Sequence, residues 1–213
     1  MINIHIFNAL GRPKDLSFRD MVQLRRPNQF LGLERVETHP HAEPVLVYPN
    51  LLSQINRAEP DRAYGDDPDK FRAWGGFVPP EDRQFKVTPK ISTIVEFQAI
   101  DYKMENCDLT LIMPPIVDST RKARRDVMNI WVLKLSYRLD IKTLSWSTRP
   151  SRVRKLDSVS MAVPANYTHR FSCPLNSLHA FEFSAGNDAT FIEWSQDYNN
   201  PSPAVVMIQH SSI

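Results

Sequence analysis

From about residue 90 onward, apolar and polar residues alternate with a period of two, in short stretches separated by turn residues. The longest stretch is "NIWVLKLSYRLD" (129–140). It sets Trp131, Leu133, Leu135, Tyr137 and Leu139 on one face and Lys134, Ser136, Arg138 and Asp140 on the other. A helix would scatter those charges around its circumference, whereas a strand sorts them onto one side. "CDLTLIMPP" opposes Cys107, Leu109, Leu111 and Met113 to Asp108, Thr110 and Ile112, and "ISTIVEFQAIDY" groups Val95, Phe97 and Ala99. "SVSMAVP" (with Val159, Met161 and Val163), "LHAFEFSAG", "TFIEWSQDY" and "AVVMIQH" read as further strands, and "VLVYP" is a short apolar run closed by proline. The Ala-Gly-Asn-Asp between "LHAFEFSAG" and "TFIEWSQDY" predicts a tight hairpin. The stretch "FIEWSQDYNNPSP" predicts a strand from Phe191 to Tyr198 in a closing hairpin, with a turn to the last strand at Ala204. Trp194 then lies over the core with its indole N–H on a carbonyl.

No helical periodicity intervenes between these strands. The pattern predicts an all-β fold, a single antiparallel β-sandwich over residues 45–213, with Trp131, Leu133, Leu135, Phe97, Leu109 and Leu111 in its core. Residues 1–44 follow another grammar, mixing charges, prolines and single hydrophobes. They read as a mostly irregular N-terminal arm or linker, with two helical turns over Phe18–Leu24 ended by Arg25-Arg26-Pro27. "AEPDRAYGDDPDK" and "WGGFVPPEDR" read as loops.

Composition narrows this picture without changing it. A chain of 213 residues holds one ordinary domain plus an arm, and 17 prolines against 6 glycines argue for many short segments with rigid connections. The formal net charge of +2 gives no footprint for nucleic acid. No run approaches the roughly 18 apolar residues of a membrane span. The opening "MINIHIFNALGRPKD" has neither a basic start nor a clean cleavage site, so it is not read as a signal peptide.

Catalytic constellations are hard to assemble. Glu193 and Asp197 share a strand face roughly 13 Å apart, too far for a glycosidase pair. They read as structural, with Asp197 accepting amides of the following turn. No G-x-S-x-G is present, and neither cysteine has a neighbour that would lower its pKa. His39-Pro-His41-Ala-Glu43 has the look of a chelate but no further ligands, and His169 and His179 read as ordinary polar strand residues. No catalytic residue, metal or cofactor is therefore expected. Two basic clusters flank the Trp131 strand in what read as loops. Arg121, Lys122, Arg124 and Arg125 form one, and Arg152, Arg154 and Lys155, in the run from Arg149, the other. Together with Trp74 and Trp146 they make a candidate ligand rim for a protein or a glycan. The plainer alternative is a pair of solvated loops balanced by Asp118, Asp126 and Asp157. The cysteine count alone leaves two free thiols and one disulfide equally open. Asn166-Tyr-Thr is a glycosylation sequon.

Several blocks recur in a familiar order: "VYPNLL", "PDRAYG", "ISTIVEF", "CDLTLIMP", "FSCP", "FEFSAG" and "FIEWSQDYNNPSP". Over residues 45–213 the chain resembles the fungal But-two C-terminal domain family, which takes its name from a yeast protein that binds a ubiquitin-like modifier. The resemblance implies a β-rich domain without established activity, a Cys107–Cys173 disulfide, and a secreted or membrane-anchored protein. "LRRPNQFLGLERV" is similar to what precedes the domain in mushroom proteins, where it follows a hydrophobic anchor. Two functional expectations follow. The first is a non-catalytic binding or structural module of a fungal secretory-pathway protein, glycosylated at Asn166. The second is an intracellular adaptor for a ubiquitin-like modifier. A small hydrolase is a distant third.

Overall fold

The computed structural model describes Gly32 and residues 43–64, 71–73, 76–78, 83–113, 126–161, 166–196 and 202–213. The chain divides into two units, Met1–Val36 and Glu37–Ile213, and the architecture below is that of the second. The expected helical turns at Phe18–Leu24 lie outside the described residues.

The strands are β1 (Val45–Val47), β2 (Leu51–Asn56), β3 (Phe71–Ala73), β4 (Gly76–Val78), β5 (Arg83–Val87), β6 (Ile91–Gln98), β7 (Asn106–Ile112), β8 (Val127–Leu133), β9 (Arg152–Ser160), β10 (Tyr167–Ser172), β11 (Leu178–Ala185), β12 (Ile192–Gln196) and β13 (Ala204–His210). Among the described residues they form a four-stranded sheet in the order β1-β13-β7-β10, a five-stranded sheet β2-β6-β11-β8-β9, and the pairs β5-β12 and β3-β4. All pairings are antiparallel. The protein is an all-β sandwich, as the alternation predicts.

Its core is filled from both sheets. Leu109, Leu111, Val205 and Met207 come from the four-stranded sheet, and Val95, Phe97, Phe181, Phe183, Met128 and Ile130 from the five-stranded one. The β5-β12 ribbon adds Phe85, Val87 and Ile192, with Trp194 stacked on Phe85 at 4.0 Å between ring centroids. Cys107 of β7 and Cys173, just past β10, are both buried and joined by a disulfide across 5.8 Å between Cα atoms. Phe97, Leu109 and Leu111 are therefore core residues, as expected.

Trp131, Leu133 and Leu135 are not in that core, and the reason is parity. β8 turns Met128, Ile130 and Val132 inward, so Trp131 and Leu133 face the outside of the five-stranded sheet. The strand also ends at Leu133 rather than running on to Asp140. The continuing apolar alternation serves a second cluster on that outer face. There Leu135, Leu139, Ile141 and Trp146, from the connection between β8 and β9, cover Leu51, Ile55, Ile94, Leu133, Leu144 and Ala180. A sheet buried on both faces gives no clean parity signal, because both sets of positions are apolar.

Three other expectations are corrected. β11 pairs with β6 and β8 while β12 pairs with β5, so the chain crosses over at Gly186-Asn187-Asp188 instead of making a hairpin. Gly186 is needed there for close approach, since a Cβ would meet the Val127 side chain at 2.5 Å and its carbonyl oxygen at 2.8 Å. β12 does not form a closing hairpin with β13 either, for β13 lies between β1 and β7. The two are tied by a side chain: Gln196 Nε2 donates to the Val205 carbonyl and Gln196 Oε1 accepts the Val205 N–H. Finally, Arg152–Lys155 is not a loop but the start of β9, and the short strand β4 lies within "WGGFVPPEDR", a segment read as a loop, with β3 just before it. The first part of β9, ahead of the predicted strand at Ser158, escapes notice because it is an edge strand with little of its surface buried.

Candidate functional site

The outer face of the five-stranded sheet carries an organised polar site. At its centre is Glu182 on β11, the middle strand, with no exposed surface. A buried carboxylate must be paired, and Arg152 of β9 meets it with two bonds, Nε to Oε2 at 2.9 Å and Nη2 to Oε1 at 2.6 Å. Arg149 approaches the same carboxylate at 3.9 Å. Each guanidinium also lies over an indole: Arg152 Cζ is 4.5 Å from the Trp131 ring centre and Arg149 Cζ 3.8 Å from that of Trp146. The indoles are fixed in turn. Trp131 Nε1 donates to Ser184 Oγ at 3.1 Å, and Arg149 Nη1 donates to the Trp146 carbonyl. Burial lowers the Arg149 pKa against the opposing pull of Glu182.

The register of β8 and β9 explains how one ring gathers two cations. Trp131 pairs with Lys155 and Leu133 with Arg152, with irregularities at Ile130/Trp131 and Val132/Leu133. In a regular strand, positions 152 and 155 would point to opposite faces. The inserted residue brings both to the face of Trp131, where Lys155 Nζ sits 5.9 Å from the ring centre. Beside these groups is a cavity of about 280 Å3, lined by Arg57, Ser92, Trp131, Trp146, Arg149 and Arg152 among others. The covering connection is anchored nearby, with Leu139 N–H donating to Glu96 Oε2 at 2.7 Å and Arg138 at 3.6 Å from Glu96 Oε1. Burial still pushes the Glu96 carboxyl above its usual range.

The candidate rim thus separates. Arg152, Lys155 and Trp146 come together on this face, whereas Arg154 pairs with the inward-facing Val132 and lines a different cavity. Trp74, Arg121, Lys122, Arg124 and Arg125 lie outside the described residues, as do His39, His41 and Asp197. Sequence reading missed Arg57, Trp131 and Glu182 as site residues. The one local signal was a glutamate between two phenylalanines in a strand, a charge that calls for a partner if buried. Asn166 is exposed, and its Oδ1 accepts the Met113 N–H at 3.2 Å.

The second cavity, about 290 Å3, lies between Arg154 and Leu156 of β9, His169 and Phe171 of β10, and His179 of β11. His179 contacts Ser177 Oγ through Nε2 at 2.6 Å and meets the edge of the Phe171 ring. Burial lowers its pKa to about 4 from 6.5. The unfolded chain therefore takes up this proton first. Stability from a neutral His179 should be intact above pH 6.5 and lost progressively down to about pH 4, by about 3 kcal/mol. Urea unfolding across that window should show the loss in the wild type and a flatter profile in His179→Gln.

Other candidate groups are structural. Glu193 accepts from Gln84 Nε2 at 2.6 Å and Lys86 Nζ at 3.1 Å across the β5-β12 pair. On the outside of the four-stranded sheet Arg170 grips Asp108 with two bonds of 2.9 and 3.0 Å and holds its carboxyl below the usual range, with His210 Nε2 at 2.8 Å. Trp194 Nε1, expected on a carbonyl, has no hydrogen-bond partner among the described residues. Nor is any described helix long and apolar enough to cross a membrane.

No curated protein matches the chain. A family model does, over residues 79–200, more than half of the chain and a span that holds both cysteines, Trp131, Trp146, Arg149, Arg152 and Glu182. The chain belongs to the family described as the ubiquitin 3 binding protein But2 C-terminal domain.

Proposed function

We propose that the chain is a non-catalytic protein-binding module of a fungal secreted or membrane-anchored protein, and that its partner docks on the groove around Trp131 and Trp146. The observation that carries this reading is the pair of guanidiniums held over indoles and paired with one buried carboxylate. Holding Arg149 and Arg152 in place before a partner arrives reduces the entropy lost on binding. Tryptophan and arginine are also the residues that most often dominate protein interfaces. The family description, which names the C-terminal domain of a ubiquitin 3 binding protein, supports a protein as partner. The Cys107–Cys173 bridge supports an oxidising compartment, and the exposure of Asn166 is compatible with a glycan there.

The same family description supports a second reading, an intracellular adaptor for a ubiquitin-like modifier. Mass spectrometry of alkylated protein from its native source separates the two. A disulfide and a glycan on Asn166 support the first; free thiols and a bare Asn166 support the second. The docking face is tested by immobilising the oxidised full chain and presenting purified ubiquitin and secreted fungal proteins. A genuine partner should be retained roughly tenfold or more weakly by a folded Trp146→Ala variant, the loss expected of an interface anchor. Equal retention by that variant would remove the groove from the account.

A further inference from the structure

The groove on the outer face of the five-stranded sheet carries more positive charge than its own structure uses. Arg152 commits Nε and Nη2 to Glu182, and Arg149 commits Nη1 to the Trp146 carbonyl. Arg57 lines the same cavity with no side-chain partner among the described residues. Three guanidiniums thus stand against one carboxylate, Glu182, which lies at the base of the site. The neutral polar groups of Ser92, Thr88 and Asn129 complete the wall.

We propose that this groove recognises the carboxylate side chains of an acidic segment of a partner protein, an inference that rests on the groove being the binding face. A guanidinium presents parallel N–H donors that match the two oxygens of a carboxylate. The indoles of Trp131 and Trp146 and the Glu182 carboxylate hold Arg152 and Arg149 in place, while Arg57 supplies a third, exposed cation at the rim. A sugar would stack on an indole face, and here each indole already carries a cation, at 3.8 Å on Trp146 and 4.5 Å on Trp131. That arrangement favours acidic peptide over glycan. The volume of about 280 Å3 is at the small end of ligand clefts, enough for side chains of a segment and too small for a folded surface to enter.

The test uses nitrogen-15-labelled full chain titrated with an acetylated hexaglutamate peptide, following the indole N–H signals assigned by Trp→Phe substitution. Saturable shifts are expected at Trp131 and Trp146, with Trp194 unmoved. Binding should weaken roughly fivefold or more in Arg57→Glu, and it should weaken further as salt is raised. Arg57→Glu leaves the fold intact because that side chain is exposed and bonds nothing described. Absence of shifts at millimolar peptide overturns the proposal. If an oligogalacturonate moves the same two signals when hexaglutamate does not, the ligand class is wrong and the groove remains the binding face. If neither ligand moves them, and a captured partner protein also leaves them in place, the groove itself falls.

Discussion

Replacing Arg152 by alanine is expected to destabilise the domain by about 3–5 kcal/mol in urea unfolding, the cost of leaving a buried charge without its partner. Glu182 has no exposed surface, sits on the central strand of the five-stranded sheet, and takes both of its short bonds from Arg152. Arg149 stands 3.9 Å away and satisfies only part of the deficit. The same substitution uncovers Trp131, which loses a guanidinium at 4.5 Å. The double variant Arg152→Met with Glu182→Leu should return to within about 1 kcal/mol of the wild type, because apolar residues of similar volume replace a buried pair at little net cost. That contrast separates the two roles of the pair: the double variant keeps the fold and loses the fixed guanidinium. A cost below about 1 kcal/mol for Arg152→Ala would mean that Glu182 is solvated and the donors of the groove are not pinned.

Converting both Cys107 and Cys173 to alanine is expected to cost about 4 kcal/mol, the chain-entropy value for a loop of this length. The bridge spans a sequence separation of 66 residues. Both sulfurs lie in the core beside Leu109 and Met207, so no solvent compensates their loss. The enclosed loop holds β8, the covering connection and β9, and with them Trp131, Trp146, Arg149 and Arg152. Opening the bridge should therefore loosen the groove as well as the core. Denaturant midpoints of oxidised, reduced and double-alanine protein check this. Equal stability of all three would contradict a bridge that constrains the unfolded chain.

Particular residues show which parts of this fold are legible in the sequence. β7 alternates against one core, and β6, though covered on both faces, carries Ser92 and Glu96 among its outward positions, so Val95, Phe97, Leu109 and Leu111 are placed correctly by period. β8 misleads because it is covered on both sides. Its inward set is Met128, Ile130 and Val132, yet its outward set, Trp131 and Leu133 continued by Leu135 and Leu139, is more apolar. The groove was hidden for a different reason. Arg152 meets Glu182 across 30 positions of sequence, and it faces Trp131 together with Lys155 only because β9 carries an irregularity. Neither pairing nor bulge leaves a local pattern to read. Gly186 shows the same limit: a glycine between two strands suggests a tight turn, but here it admits the backbone of Val127 and the chain leaves the sheet.

A partner docked on the outer face of the five-stranded sheet, as proposed, would shield the amides of that face. Hydrogen–deuterium exchange of the full chain, with and without its captured partner, tests it most directly. Protection is expected to concentrate in residues 131–152, the segment that carries Trp131, Trp146, Arg149 and Arg152, with the strands of the four-stranded sheet unchanged. Protection confined to β1, β13, β7 and β10, with residues 131–152 exchanging as in the free protein, would contradict it.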